Sequence, residues 1–204
     1  MLDAAGEGGL TFRALTEHLA TGPGAIYWHV ANKGELLAAA TDAVVAEALA
    51  AEPEAATDSS PQDRIRALAL GLFDAVDTHY WVAAQLSAGS WQATTPRIFE
   101  GVGRHVRAMG VSRQHWFTVT SALVQYILGA AAQNAANARA LAPDLDRGEV
   151  LAAVSRTWEA LDAEDYSFTR TVADQMREHD DRQQFLDGID LVLAGIAAVH
   201  PPTG

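Results

Sequence analysis

Apolar residues recur along this chain at intervals of three and four, and no segment alternates apolar with polar strictly enough to read as a strand. Abundant alanine favours the same conformation. The spacing predicts helices over 11–19, 23–30, 33–50, 61–79, 81–88, 95–109, 113–138, 147–161, 166–178 and 182–199, an all-α chain. The interruptions are specific. "TGPG", Thr21 to Gly24, separates two short helical patterns, and "EPEAATDSSP", Glu52 to Pro61, reads as a polar, acidic hinge between prolines. Ser60 before Pro61 is an N-cap with proline at the first helical position, and Thr95 before Pro96 repeats the signal. Gly110 ends one helix, Ser112 starts the next, and "LAPDLDRG", Leu141 to Gly148, is another loop. No fixed-period repeat is present. The pattern divides the chain into a helical head, residues 1–51, and a helical body, residues 52–204.

Composition narrows the chemistry. The 204 residues carry a formal net charge of -12, and 49% of them are hydrophobic, enough for a packed core. There is no cysteine, which excludes disulfides, thiolate metal sites and cysteine nucleophiles. No run of about eighteen apolar residues and no basic-then-apolar leader is seen, so the expectation is a cytoplasmic protein without a membrane partner. An acidic chain does not bind a polyanion with its whole surface, so any nucleic-acid contact has to be local.

One local candidate stands out. In "LTFRALTEHL" the apolar residues Phe12, Leu15 and Leu19 fall at helical spacing behind a capping Thr11. Pro23 then opens a second short helix in which Ile26 and Val30, four apart, can face Leu15 and Leu19. Two short helices joined by a tight glycine-bearing turn form a helix-turn-helix pattern. Its second helix leaves Gly24, Ala25, Trp28 and His29 on the other side. Asn32 and Glu35 form a capping box at the start of the next helix, where Lys33, the sole lysine of the chain, sits. Its charge and the free amides there suit a phosphate, and Tyr27 can add its hydroxyl. Spacing alone leaves two readings open: a DNA reader gripping the backbone through Lys33, or a packed helical corner with Tyr27 and Trp28 in the core.

At these residues the chain resembles the TetR family of bacterial transcriptional regulators. The resemblance runs over about residues 1–48, through "LTFRALTEHLATGPGAIYWHVANKGELL", with Tyr27, His29, Val30, Lys33 and the Leu36–Leu37 pair in register. It implies a homodimeric regulator whose head binds a double-stranded DNA operator and whose body dimerises and holds a small effector. By position it puts Thr11 and Arg13 at phosphates or groove edges, Thr21, Gly22, Gly24, Ala25 and Trp28 on the base-reading side, and Tyr27, His29 and Lys33 on phosphates. Three features depart from the family pattern. The opening "MLDAAGEGG" leaves a turn or two before Gly6, so the first helix is expected to be truncated or the true start to lie upstream. Thr21–Gly22 stands where an aliphatic residue and a serine are usual. The head is acidic, with Arg13 and Lys33 against Asp3, Glu7, Glu17, Glu35, Asp42 and Glu47.

In the body, Ile65, Leu68, Leu72 and Val76 form one core stripe, Ile98, Val102, Val106 and Met109 a second, and Trp116, Leu123, Ile127 and Ala131 a third. Small residues crowd the second half of 113–138 (Gly129, Ala130, Ala132, Ala135, Ala136) and recur as Gly188, Gly195 and Ala198. They suit a four-helix interface about a two-fold axis, or close packing within one subunit. Aromatic residues gather in the middle: Tyr80, Trp81, Trp91, Phe99, Trp116, Phe117, Tyr126, Trp158 and Phe168. The expected effector pocket is lined from Trp81, Gln85, Phe99, Trp116 and Tyr126. With no charged group destined for it, a small neutral apolar or aromatic effector is expected.

No catalytic or metal constellation emerges. "EHDD", Glu178 to Asp181, reads as a solvated loop rather than a metal site, and neither HExxH, GxSxG, a phosphate loop nor GxGxxG occurs. No cofactor and no enzyme activity are expected. The sequence reading is thus a ligand-responsive repressor released from its operator by a small effector. The alternative is a helical small-molecule-binding dimer with impaired or lost DNA binding.

Overall fold

The computed structural model describes residues 1–50, 59–87, 94–140 and 146–201. Most of the expected hinge at 52–61, part of the loop at 141–148, and Trp91 lie outside the described residues. The helices are α1 (Leu2–Gly9), α2 (Phe12–His18), α3 (Pro23–Tyr27), α4 (Lys33–Ala50), α5 (Pro61–Thr78), α6 (Trp81–Ser87), α7 (Thr94–Ala108), α8 (Trp116–Ala140), α9 (Arg147–Glu159), α10 (Ser167–Thr171) and α11 (Asp181–Val199). Short 3-10 turns cover Arg113–His115 and Ala173–Glu178. Among the described residues no strand is present, and no helix is long and apolar enough to cross a membrane.

The three expected stripes form the body core, except that Met109 and Trp116 are only partly buried against it. Ile65, Leu68, Leu72 and Val76 of α5, Ile98, Val102 and Val106 of α7, and Leu123, Ile127 and Ala131 of α8 are buried together with Phe185, Ile189 and Leu193 of α11. Removing that much aliphatic surface from water is the main stabilising contribution. α5 starts where Ser60 Oγ accepts from the Asp63 amide at 3.1 Å while the Asp63 carboxylate accepts from the Ser60 amide at 3.3 Å. Arg66 then links α5 to α11, donating to Asp190 at 2.5 Å and to Asp63 at 2.7 Å. At the end of α7 the chain turns through Gly110, whose φ of 83° a side chain would strain.

α4 joins the head to this core. Val45 and Ala48 are buried in it. α4 lies so close to α5 that a Cβ on Gly71 would sit 2.9 Å from the Ala48 carbonyl oxygen. A side chain at position 71 would therefore push the two helices apart.

Several boundaries differ from expectation. α7 starts at Thr94, so Thr95 is inside the helix rather than its cap. The helix expected over 166–178 divides after Thr171, where Val172 leaves the α-helical path at φ -99°, ψ 5°. Ahead of α2, the expected short segment is present: residues 2–9 are helical but broken at Gly6 (φ 61°), which leaves a single turn before it.

Candidate nucleic-acid interface and ligand cavities

The two-helix motif of the head is formed by α2 and α3. Thr11 Oγ1 caps α2 by accepting from the Ala14 amide at 3.1 Å. The helix ends at His18, and Ala20, at φ 50°, turns the chain toward α3. Leu19 is therefore 57% exposed, not packed against Ile26 and Val30. The inner position of α2 belongs to Thr16, buried with its hydroxyl satisfied by the Arg13 carbonyl at 2.7 Å. Thr16 follows Phe12 by four residues and so shares its face, a signal that a polar residue conceals. Ile26 is the buried contact of α3.

The opposite side of the motif is open. Thr21, Gly22, Gly24, Ala25 and His29 are exposed. Trp28 is 86% exposed and Tyr27 is 55% exposed. A Cβ on Gly22 or Gly24 would meet nothing within 4 Å, so neither glycine is required by packing inside the chain. Tyr27 is held edge-on by Phe12, ring centroids 4.8 Å apart. The packed-corner reading, with Tyr27 and Trp28 in the core, does not describe this surface.

Both basic groups of the head already have partners. Arg13 Nε donates to Glu17 at 3.0 Å on the same helix, with both side chains largely exposed. The Lys33 ammonium donates to the main-chain carbonyl of Glu7 in α1. The cap at the start of α4 is reciprocal but shifted. The Glu35 amide donates to Asn32 Oδ1 at 2.9 Å, while the Glu35 carboxylate accepts from the Ala31 amide at 2.8 Å, rather than from the Asn32 amide, and from Asn32 Nδ2 at 3.4 Å.

The five residues expected to line one effector pocket separate into three places. Trp81 is buried and donates its indole N–H to Asp3 at 2.7 Å, and Gln85 donates to the Glu7 carboxylate at 2.8 Å. Both therefore bind α1. His79 Nδ1 also lies 2.7 Å from the Asp3 carboxylate, and that hydrogen bond holds the Asp3 pKa below its ordinary value. The α1 partners lie 78 positions upstream, so spacing alone does not bring Trp81 and Gln85 to Asp3 and Glu7.

Phe99 and Trp116 do meet, at a groove of 300 Å³ between α7 and α8 that also includes Phe117 and Arg104. Trp116 is fixed by its indole bond to the Val111 carbonyl at 2.6 Å, and Phe99 packs on Phe117 with centroids 5.6 Å apart. The groove widens into an open trough of 810 Å³ past Pro96, Ala122 and Gln125.

Tyr126 belongs to a third place, a cavity of 450 Å³ between α8 and α11. Its ring stacks on Phe185 (centroids 5.8 Å), which packs on Phe73 (4.6 Å). The Tyr126 hydroxyl donates to the Phe185 carbonyl at 3.1 Å and occupies the space a side chain on Gly188 would need. Burial first, then the charge of Asp187, raise the Tyr126 pKa. His179 and Asp181, expected in a solvated loop, form part of the wall. Their side chains are 21% and 24% exposed, paired at 2.8 Å, and Arg147 reaches Asp181 at 2.6 Å. Among the described residues no group of three or more histidines and carboxylates is arranged to hold a metal ion.

The outward faces of α8 and α11 carry Ala122, Gln125, Gly129 and Ala136, and Leu191, Ala194, Gly195 and Ala198, all exposed. A Cβ on Gly129 or Gly195 would meet nothing within 4 Å, whereas one on Gly188 would strike Tyr126. Packing within the subunit thus accounts for Gly188 and not for the other two.

Residues 52–200 match the family model described as "Tetracyclin repressor-like, C-terminal domain". No curated protein matches the chain. Among solved structures, the transcriptional regulator SCO7222, a TetR from Streptomyces coelicolor, is 59% identical, covering 98% of this chain and 93% of that one with a TM-score of 0.87. BioQ, known also from Mycobacterium smegmatis, is in its structure with its double-stranded DNA operator 28% identical, covering 97% of this chain and 91% of that one at a TM-score of 0.58. Streptomyces coelicolor ActR in complex with actinorhodin is 20% identical, covering 97% and 91% at a TM-score of 0.76, a likeness of fold.

Proposed function

The chain belongs to the TetR family of transcriptional regulators, and from that premise we propose that it is a homodimeric repressor that a small effector releases from its DNA operator. The observation that carries this reading is the outward side of α3. Thr21, Gly22, Gly24, Ala25 and Trp28 are all exposed, as are Tyr27, His29 and Lys33, and packing requires neither glycine. Small residues let the backbone approach base edges, Trp28 offers apolar contact, and Tyr27, His29 and Lys33 flank them with phosphate-binding groups. Thr11 and Arg13 extend the backbone contacts from α2. The operator-bound BioQ structure supports transferring this mode of binding.

In this reading the head, residues 1–51, reads DNA, and the body, residues 52–204, binds the effector and dimerises through α8 and α11. The open faces around Gly129 and Gly195 support that interface. Two heads must meet half-sites about 34–36 Å apart, and an effector that favours another head separation lowers operator affinity. The route from body to head runs through α4, which packs on α5, and through α1, which Trp81 and Gln85 hold.

A second reading, a helical small-molecule-binding dimer with impaired DNA binding, draws on the pairing of Arg13 with Glu17 and of Lys33 with the Glu7 carbonyl. Binding of the purified chain to the DNA flanking its own gene, over a salt series, separates the two. Salt-dependent, sequence-specific retention supports the repressor, and its absence supports the second reading.

A further inference from the structure

The cavity between α8 and α11 has an unusual combination of walls. Its floor is the Phe73–Phe185–Tyr126 series of rings, and its lining includes the carboxylates of Asp181 and Asp187 but no lysine or arginine. Asp181 is neutralised from behind by Arg147. Asp187 accepts only the Gln183 amide at 2.8 Å among the described residues, so its charge is not matched by a cation. At 450 Å³ the cavity is of a size that suits a drug-sized ligand. A second cavity of 480 Å³, lined by Val150, Leu151, Val154, Met176 and by Arg147, which pairs with Asp181, shares Asn137, His179, Asp181 and Gln184 with it and offers room for an apolar extension.

We infer that this cavity takes a planar aromatic cation, its ring laid against Tyr126 and its positive charge set toward Asp187. Aromatic faces are electron-rich and attract a cation held over them, and the exposed carboxylate of Asp187 adds a weaker, solvent-screened attraction. An anion would meet unmatched negative charge on this wall. The raised Tyr126 pKa is in line with that field. This inference rests on the reading of the body as an effector-binding unit and replaces the neutral effector expected from sequence.

The test is equilibrium binding to the purified full chain, without DNA, of three probes followed by fluorescence: rhodamine 6G (planar cation), fluorescein (planar anion) and 1,8-dihydroxyanthraquinone (neutral). Rhodamine 6G is expected to bind saturably at one per subunit. Asp187→Asn, which keeps the shape and removes the charge, is expected to weaken it about two- to fivefold. Tyr126→Leu weakens it as well, while Asp187→Asn, by removing a like charge, is expected to raise the small affinity for fluorescein. Rhodamine 6G binding that Asp187→Asn leaves unchanged overturns the inference, as does preferential binding of the neutral or anionic probe. A cleft filled by the second protomer would leave all three probes unbound, which overturns it too. None of these results touches operator binding, which is read separately, so failure of the ligand class and failure of the repressor reading are distinguishable.

Discussion

The indole N–H of Trp81 donates to the carboxylate of Asp3 at 2.7 Å, across 78 positions of sequence. This contact ties the first helical segment of the head to the first residue of α6. Asp3 is also hydrogen-bonded to His79, so one carboxylate carries both body partners. Asp3→Asn is expected to lower stability by about 1 kcal/mol near neutral pH, since the pair is half exposed. The sign of the pH dependence follows from the lowered Asp3 pKa. Its contribution is complete above the ordinary value of 3.8 and is lost as pH falls through the depressed folded value. Urea titrations of both proteins at neutral pH and below about pH 4 check this, the difference between them shrinking in acid.

Trp28→Ala probes the reading surface without probing the core. With Trp28 86% exposed, unfolding free energy is expected to change by no more than about 0.5 kcal/mol. Operator affinity is expected to fall at least roughly tenfold, the cost of one good base-reading contact. Circular dichroism melting and fluorescence anisotropy with labelled operator measure the two effects independently.

Gly195→Glu addresses the outward face of α11. Nothing inside the subunit obstructs a side chain there, so a folded chain of unchanged helicity is expected. A buried unpaired carboxylate at a two-fold interface is strongly unfavourable. Sedimentation equilibrium is expected to show a monomer where the parent is a dimer, and operator binding is expected to weaken with it.

Gly188→Ala is the contrasting substitution. Its Cβ would lie 1.8 Å from the Tyr126 hydroxyl oxygen, which forces that ring to move. A loss of about 1–3 kcal/mol is expected from overpacking. Combining it with Tyr126→Ala should recover part of that loss, which double-mutant thermal melts can measure.

Much of this architecture was legible in the chain because burial of a helix face is periodic. Ile65, Leu68, Leu72 and Val76 announce their face, and all four are buried. Ser60–Pro61 announces a helix start, and the capping box is there. Relationships without a period were not legible. Trp81 and Gln85 look like pocket residues among other aromatics, yet their partners Asp3 and Glu7 lie 78 positions upstream. Tyr126 looks like a companion of Trp116, ten residues before it, but the two lie on different sides of α8 and belong to separate cavities. Thr16 was hidden by its hydroxyl, which bonds its own helix and lets the residue occupy an apolar position. In the head, the spacing found the two helices but left open which side faced solvent, and the exposure of Trp28 decides that.

The most direct test is the salt dependence of operator binding by the parent and by Lys33→Ala. Each phosphate contact contributes about -0.9 to the slope of log affinity against log salt, so removing one lysine from each of two heads should make the slope shallower by about 1.8. That result, with weaker binding at low salt and a chain that remains folded at the assay temperature, is the one predicted. An identical slope for the two proteins would contradict it, leaving the Lys33 ammonium as a strut against the Glu7 carbonyl and nothing more.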